Sequence, residues 1–468
     1  MADDNVETAF FQQILTDHSY FCYSQLGQDL FSPDHIKAVP LQQALDSTER
    51  CILIPSDISS KNPTKPVEMI DLFGVPIPIW DRFDCSLFSG WTRIPNTDRP
   101  LFFVNDSGTV IPAWNLFAIV TELLGFAEER KCVHRDEHDR IPREHNPLAK
   151  AEIDRYPVLN QMFFAVLAAA KGINEGIGDL VEPGELIRKP IVVFSHDCDQ
   201  LRGNDFYTQG ARLARAVRPV ARARLPDLRQ FWWILVNMVR PSRYYFDDAL
   251  AMIDLERQYG FKSIFYILNG PGGRYGARTK FEFSKKLIER CPPLWEIGCH
   301  YNYWLANKPD RLSEQMEPIA SASGRAVLAG RAHYLTYDSN MSPDRVHSNG
   351  VRFDESIGYS ECAGFRCGYA GVFRPLNAKK TGTLNMWELP LAFMDTHTVS
   401  KGQDEADFEE TLSLLELTGG VISVLFHPGH CNNPEHPELL GRYHEILRFC
   451  HSREVRNFVP SQFIDELD

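Results

Sequence analysis

Three apolar runs in this chain end abruptly in groups that can do chemistry. "IVVFSHDCD" closes on His196, Asp197 and Asp199; "LWEIGC" runs into His300; "VISVLF" runs into His427, with His430 three residues on. Carboxylates and imidazoles together suit a divalent metal with open positions, and Zn²⁺ is the expected ion. Such an ion lowers the pKa of bound water toward ~7 and polarises a carbonyl. A second carboxylate beside it can serve as general base, and a histidine opposite can protonate a leaving amine. The D-x-D spacing fits this, because residues two apart on an extended strand point to the same side. Asp197 and Asp199 then share a face while Cys198 turns into the core as a small apolar-like residue. Without a cation the two carboxylates would repel. A lone D-x-D is usually a turn, and a lone histidine after a strand is usually structural. The ordered set, far apart in sequence, is what points to a site.

The elements that must position these residues can be read around them. "IVVFS", "KSIFYIL", "LWEIGC" and "VISVLFH" are strand-like, and helix-like segments such as "DDALAMIDLERQYG", "KFEFSKKLIER" and "EADFEETLSLLELTG" lie between them. Strands alternating with helices predict βα units and a largely parallel sheet or barrel. In such folds the loops at the carboxyl ends of the strands converge, so polar groups at three strand ends can meet. Before this region, "CILIPS" reads as a strand and "RPLFFVNDSGTVIPAW" as a hairpin turning at 105–108. "NLFAIVTELLGFAEE" reads as a helix. The charged stretch that follows contains His134, His138 and His145 without ligand spacing, and reads as a solvated loop. A Gly- and Pro-rich segment then precedes the βα rhythm. The expected division is a mixed α/β N-terminal accessory domain at 1–185 and a (β/α) domain at 186–468.

Bulk properties narrow the class. A length of 468 residues suggests two or three domains, and 44% hydrophobic with 24% charged residues is a globular composition. The net charge of −13 argues against nucleic acid as a partner. "FFAVLAAA" is too short to span a bilayer. The acidic start lacks the form of a secretory leader, and eleven cysteines without CxxC pairs suit free thiols, so a cytoplasmic location is expected. Arg212, Arg215, Arg218, Arg222, Arg224 and Arg229 read as a solvated helix face, with binding of an anionic substrate group as the alternative. The aromatic run at 231–246 reads as core.

Residues 190–430 resemble the polysaccharide deacetylases, the NodB-homology or family-four carbohydrate esterases. The resemblance implies a distorted (β/α) barrel. "FSHDCD" is similar to the D-x-D form of the family's first motif, which makes Asp197 the general base and Asp199 a metal ligand. In "EIGCHYNYW", His300 matches a metal histidine, but Trp304 stands where the second is expected. "GRAHYLTYD" supplies Arg331 as the residue orienting the base, and His333 is then the replacement ligand, giving Asp199, His300 and His333. His196 and His430 are rivals for that place. "GVRFDESIGYSECAGFRCG" resembles the fourth motif, with Asp354 the counterpart of its catalytic-site aspartate. "LFHPGH" supplies Phe426 and His427, the general acid, or alternatively the metal ligand in place of His333. "DESIGYSECAGFRCGY" and the upstream "DRIPREHNPLAKAEIDRYPVLNQ" resemble the long-loop branch that carries an added N-terminal domain. The implied function is metal-dependent hydrolysis of an N-acetyl or similar acyl group from an amino sugar or polysaccharide, with metal-bound water as nucleophile. An amide hydrolase acting on a non-sugar substrate, or an inactive carbohydrate-binding scaffold, are the alternatives.

Overall fold

The computed structural model describes residues 2–58, 66–201, 210, 212–214, 217, 228–239, 244–303, 311–397, 405–431 and 438–466. Trp304 and Arg215, Arg218, Arg222 and Arg224 lie outside them.

The upstream region builds a five-stranded sheet of order β1-β2-β7-β6-β5, from β1 (Ile36–Val39), β2 (Ile52–Pro55), β5 (Thr92–Ile94), β6 (Phe102–Val104) and β7 (Val110–Pro112). A separate hairpin joins β3 (Glu68–Leu72) to β4 (Val75–Ile79). The β6–β7 hairpin turns where expected: Asn105 Oδ1 accepts the backbone N–H groups of Ser107 and Thr109, at 3.0 and 2.9 Å. Helix Leu116–Leu124 forms with Asn115 as its N-cap and stops at Gly125.

Downstream, eight parallel strands follow one another around a second sheet. They are β8 (Ile191–Cys198), β9 (Ser263–Leu268), β10 (Glu296–Tyr301), β11 (Ala329–Ala332), β12 (Phe353–Asp354), β13 (Trp387–Glu388), β14 (Leu391–Met394) and β15 (Val421–Leu425). The hydrogen-bonded order is β13-β12-β11-β10-β9-β8-β15-β14, so the ring closes between β15 and β8 and ends at β13 and β14. The short β16 (Arg456–Asn457) adds to the start of β8. This is a parallel (β/α) barrel opened on one side. Every residue of β8 is buried, as for strands covered on both faces.

The barrel interior is polar. Arg331 is fully buried there, with Glu355 beside it. The Tyr266 and Ser423 hydroxyls both donate to the Glu355 carboxylate. Gly298 makes room for this layer, since a Cβ there would lie 2.4 Å from the Tyr266 ring. On the opposite face of the sheet a Cβ at Gly330 would lie 2.0 Å from the Tyr301 hydroxyl. A continuous apolar core joins the upstream helices Ala2–Cys22 and Val158–Glu175 to the inner ends of β8 and β9 through Phe21, Phe163, Ile191, Val193 and Ile264.

Some local expectations change. Arg212 is buried and donates to the Tyr245 hydroxyl, so it is not part of a solvated face. In the 231–246 run, Ile234, Tyr245 and Phe246 are buried but Trp232 is 68% exposed. All eleven cysteines are free. No helix among the described residues is long and apolar enough to cross a membrane.

Candidate active site

The carboxyl ends of β8, β10, β11, β14 and β15 open into a cleft of about 460 Å³, within the range of small-molecule sites. Asp197, Asp199, His300, His333, His427 and His430 all line it.

Asp199, His300 and His333 point three donor atoms at one another. Asp199 Oδ1 is 3.1 Å from His300 Nε2 and 3.4 Å from His333 Nδ1. His333 Nδ1 is 2.9 Å from His300 Nε2. Donors about 2.1 Å from a tetrahedral ion would lie about 3.4 Å apart, so the spacing matches a slightly contracted face of such a site. The donor chemistry also fits. His300 Nδ1–H donates to the Arg331 carbonyl at 3.0 Å, which leaves Nε2 as the ring nitrogen that faces the triad. Burial holds His333 down at about 3, so the imidazole is neutral as ligation requires. Burial pushes the Asp199 carboxyl up, but the His333 and His300 imidazoles outweigh it and hold it well below the usual carboxylate range. Asp199 Oδ1 is buried and accepts no hydrogen bond of good geometry. An ionised, buried, unsatisfied oxygen facing two imidazole nitrogens is a place that suits a cation. His333→Ala should therefore weaken divalent-metal binding by more than about 100-fold, beyond the loss typical of outer partners. Metal content after dialysis measures this, and full retention would contradict the triad.

Asp197 sits beside the triad under a different constraint. Arg331 Nη1 donates to its Oδ1 at 2.8 Å, while Arg331 Nη2 donates to Ser195 Oγ at 2.7 Å and lies 3.2 Å from Glu355 Oε2. The guanidinium also lies 4.7 Å above the Tyr266 ring. This leaves Asp197 Oδ2 facing the cleft, 3.5 Å from His300 Nε2 and 4.0 Å from His427 Nε2.

His427 is held from behind by Asp395, which follows β14. Asp395 Oδ1 accepts His427 Nδ1–H at 2.9 Å, and Oδ2 accepts the His427 backbone N–H at 2.8 Å. His430 Nδ1 lies 3.1 Å from the same Oδ2. Burial pulls His427 down, but the Asp395 carboxylate outweighs it and raises the imidazole to about 9.

Asp354 and the two rival ligands stand apart from the triad. Asp354 does not line the cleft: its Oδ1 accepts the Tyr301 hydroxyl at 2.8 Å on the face of the sheet opposite Arg331. The rival ligand His196 is buried behind β8, its Nε2 2.7 Å from Glu256 Oε1 and its Nδ1 2.9 Å from the Phe426 carbonyl. His430 joins Asp395, apart from the triad. The fourth wall comes from the stretch expected to be a solvated loop. There Asp136 Oδ1 caps the backbone of His138 and Arg140, and Arg140 Nη1 donates to the Tyr334 carbonyl at 2.9 Å. His138 stacks on Tyr334 at 4.3 Å, with Tyr275 and Tyr303 set edge-on. Tyr334 and Leu335 take left-handed backbone angles, φ 61° and 53°, as the chain turns after His333.

This barrel is similar to polysaccharide deacetylases. A protein from Mycobacterium smegmatis assigned to that group aligns over 60% of this chain and 90% of its own, at 14% identity and a TM-score of 0.39. An allantoinase aligns over the same shares at 11% identity and a TM-score of 0.40. A family-four carbohydrate esterase pseudoenzyme from Bacillus anthracis aligns over 60% of this chain and 66% of its own, at 11% identity and a TM-score of 0.30. No protein-family model matches the sequence, and no curated protein matches it. The functional reading rests on the cleft itself.

Proposed function

We propose that this chain is a divalent-metal-dependent deacetylase that cleaves an N-acyl amide on an amino sugar. The observation that carries the reading is the placing of Asp197 Oδ2 between the donor triad and His427. Asp197 Oδ2 lies 3.5 Å from His300 Nε2 and 4.0 Å from His427 Nε2, so a base and an acid face the same part of the cleft beside the triad.

A divalent ion held by Asp199, His300 and His333 would acidify water and polarise the amide carbonyl. The protein supplies the proton traffic. Arg331 occupies Asp197 Oδ1 and so presents Oδ2 to accept a proton from attacking water. As the new C–O bond forms and the C–N bond breaks, His427 Nε2 gives a proton to the departing amine. Asp395 fixes the Nδ1–H tautomer and keeps the imidazole protonated until then. Acetate and the free amine result, and solvent returns the proton from Asp197 to His427. His138 and Tyr334 line the cleft beside the triad and give it an aromatic side against which a sugar ring can lie.

The acid role has a definite pH signature. With His427 raised to about 9, the protonated acid dominates below that pH and is lost above it. kcat/KM should fall on the alkaline side with a limb near pH 9. Asp395→Asn removes the anion that raises His427 and leaves its burial, so the limb should move to lower pH. A limb that stays in place in the Asn variant would contradict the assignment. The substrate class is tested by hydrolysis of N-acetylated amino sugars against simple N-acyl amides by the metal-loaded protein. Equal turnover of both would remove the sugar from the proposal, and no turnover of either would remove the hydrolase.

A further inference from the structure

The cleft holds a second group of potential ligands besides the triad. Asp395, His427 and His430 place a carboxylate oxygen and two imidazole nitrogens within 4.8 Å of one another. Both rings turn Nδ1 toward the same carboxylate, at 2.9 Å for His427 and 3.1 Å for His430, and their centroids are 4.7 Å apart. Asp395 is fully buried, whereas the His430 side chain is 32% exposed at the rim, so the group is open to an ion entering from the cleft. Orienting His427 needs only one imidazole on Asp395. The second, three residues on, completes a His₂-carboxylate donor set of the kind that binds Zn²⁺.

We propose that Asp395, His427 and His430 form a second, inhibitory site for a transition-metal dication such as Zn²⁺, distinct from the Asp199–His300–His333 triad. On binding, each imidazole presents an unprotonated Nδ1 to the ion; its hydrogen shifts to Nε2 in the neutral ring or leaves to solvent. His427 is then tied to the metal and no longer available as an imidazolium donor. Binding stands on this geometry alone. Only its inhibitory effect rests on His427 being the general acid.

The test is a Zn²⁺ titration of the metal-stripped full chain, with bound zinc measured after equilibrium dialysis. Wild type should take up two equivalents, the second more weakly. His430→Gln should take up one, and Asp199→Asn should also take up one. Under the proposed reading, the second equivalent lowers wild-type turnover by about 10²-fold, the lower end of what acid catalysis contributes. His430→Gln should keep its turnover and escape that loss. Histidine-ring NMR of wild type keeps the test independent of how well the variants fold: the second equivalent should shift both the His427 and His430 resonances. Uptake of a single equivalent by wild type, two equivalents in His430→Gln, or unmoved His430 signals would each overturn the site, and activation by the second equivalent would overturn its inhibitory role. Two equivalents bound by a protein that hydrolyses no N-acyl compound would retain the site and reject the deacetylase.

Discussion

Asp197→Asn should abolish turnover while the protein still binds its metal. Asparagine preserves the shape and can still accept from Arg331 Nη1, which lies 2.8 Å from Asp197 Oδ1 in the native chain. It cannot take up a proton at Oδ2, the atom aimed at the cleft between His300 and His427. General-base loss typically costs 10²–10⁴-fold, so kcat should fall by roughly that factor. Metal affinity should change little, because the triad donors belong to Asp199, His300 and His333. Steady-state kinetics with parallel metal analysis separates the two effects. Turnover within about threefold of wild type would remove Asp197 as base; metal loss matching the loss of activity would make it a ligand instead.

Arg331→Met should destabilise the barrel strongly. The guanidinium is fully buried and binds Asp197, Ser195, the Glu355 carboxylate and the Glu355 carbonyl. Burying a charge in this way is tolerable only while its partners are complete. Removing the cation leaves the Asp197 and Glu355 carboxylates buried without their partner, and breaking such a pair costs about 3–5 kcal/mol. Arg331→Lys should recover part of the loss, since it restores charge but not the forked geometry that reaches Ser195 and Asp197 together. Urea midpoints of the metal-free proteins measure this. A shift of Arg331→Met below about 1 kcal/mol would mean that the barrel interior takes up water and rehydrates the acids.

The barrel was legible where its strands are long. β8, β9, β10 and β15 are five to eight residues long, and β8, β9 and β15 carry the apolar runs Ile191–Phe194, Ile264–Leu268 and Val421–Leu425, the last with one serine within it, the pattern of strands buried on both faces. β12 and β13 have only two residues each, and β11 reads "AGRA", so their membership comes from parallel pairing with neighbours rather than from any local pattern.

The site shows the same division. Asp197, Asp199, His300 and His427 announce themselves as polar residues at the ends of apolar runs. Asp395 carries a fainter version of that signal, after the four-residue β14, and its partner His427 is 32 residues away. Asp354 is the converse case. It follows an apolar residue as the others do, but its side chain meets Tyr301 on the helix-covered face of the sheet, while the next residue, Glu355, meets Arg331 in the interior. Alternation along two residues of strand decides which acid serves the base, and such a short strand gives no pattern from which to read it. The 136–140 wall was hidden by its own polarity: His138 is buried by Tyr334, Tyr275 and Tyr303, all more than a hundred residues downstream.

The central claim is that Asp199, His300 and His333 hold the catalytic metal, with Asp197 left free beside them as the base. Anomalous diffraction from crystals of the full chain loaded with one equivalent of Zn²⁺ tests it most directly. The account predicts a single peak within about 2.2 Å of Asp199 Oδ1, His300 Nε2 and His333 Nδ1, with Asp197 Oδ1 still bound to Arg331. A peak ligated by Asp197, or one seated first on Asp395, His427 and His430 with none at the triad, would contradict it.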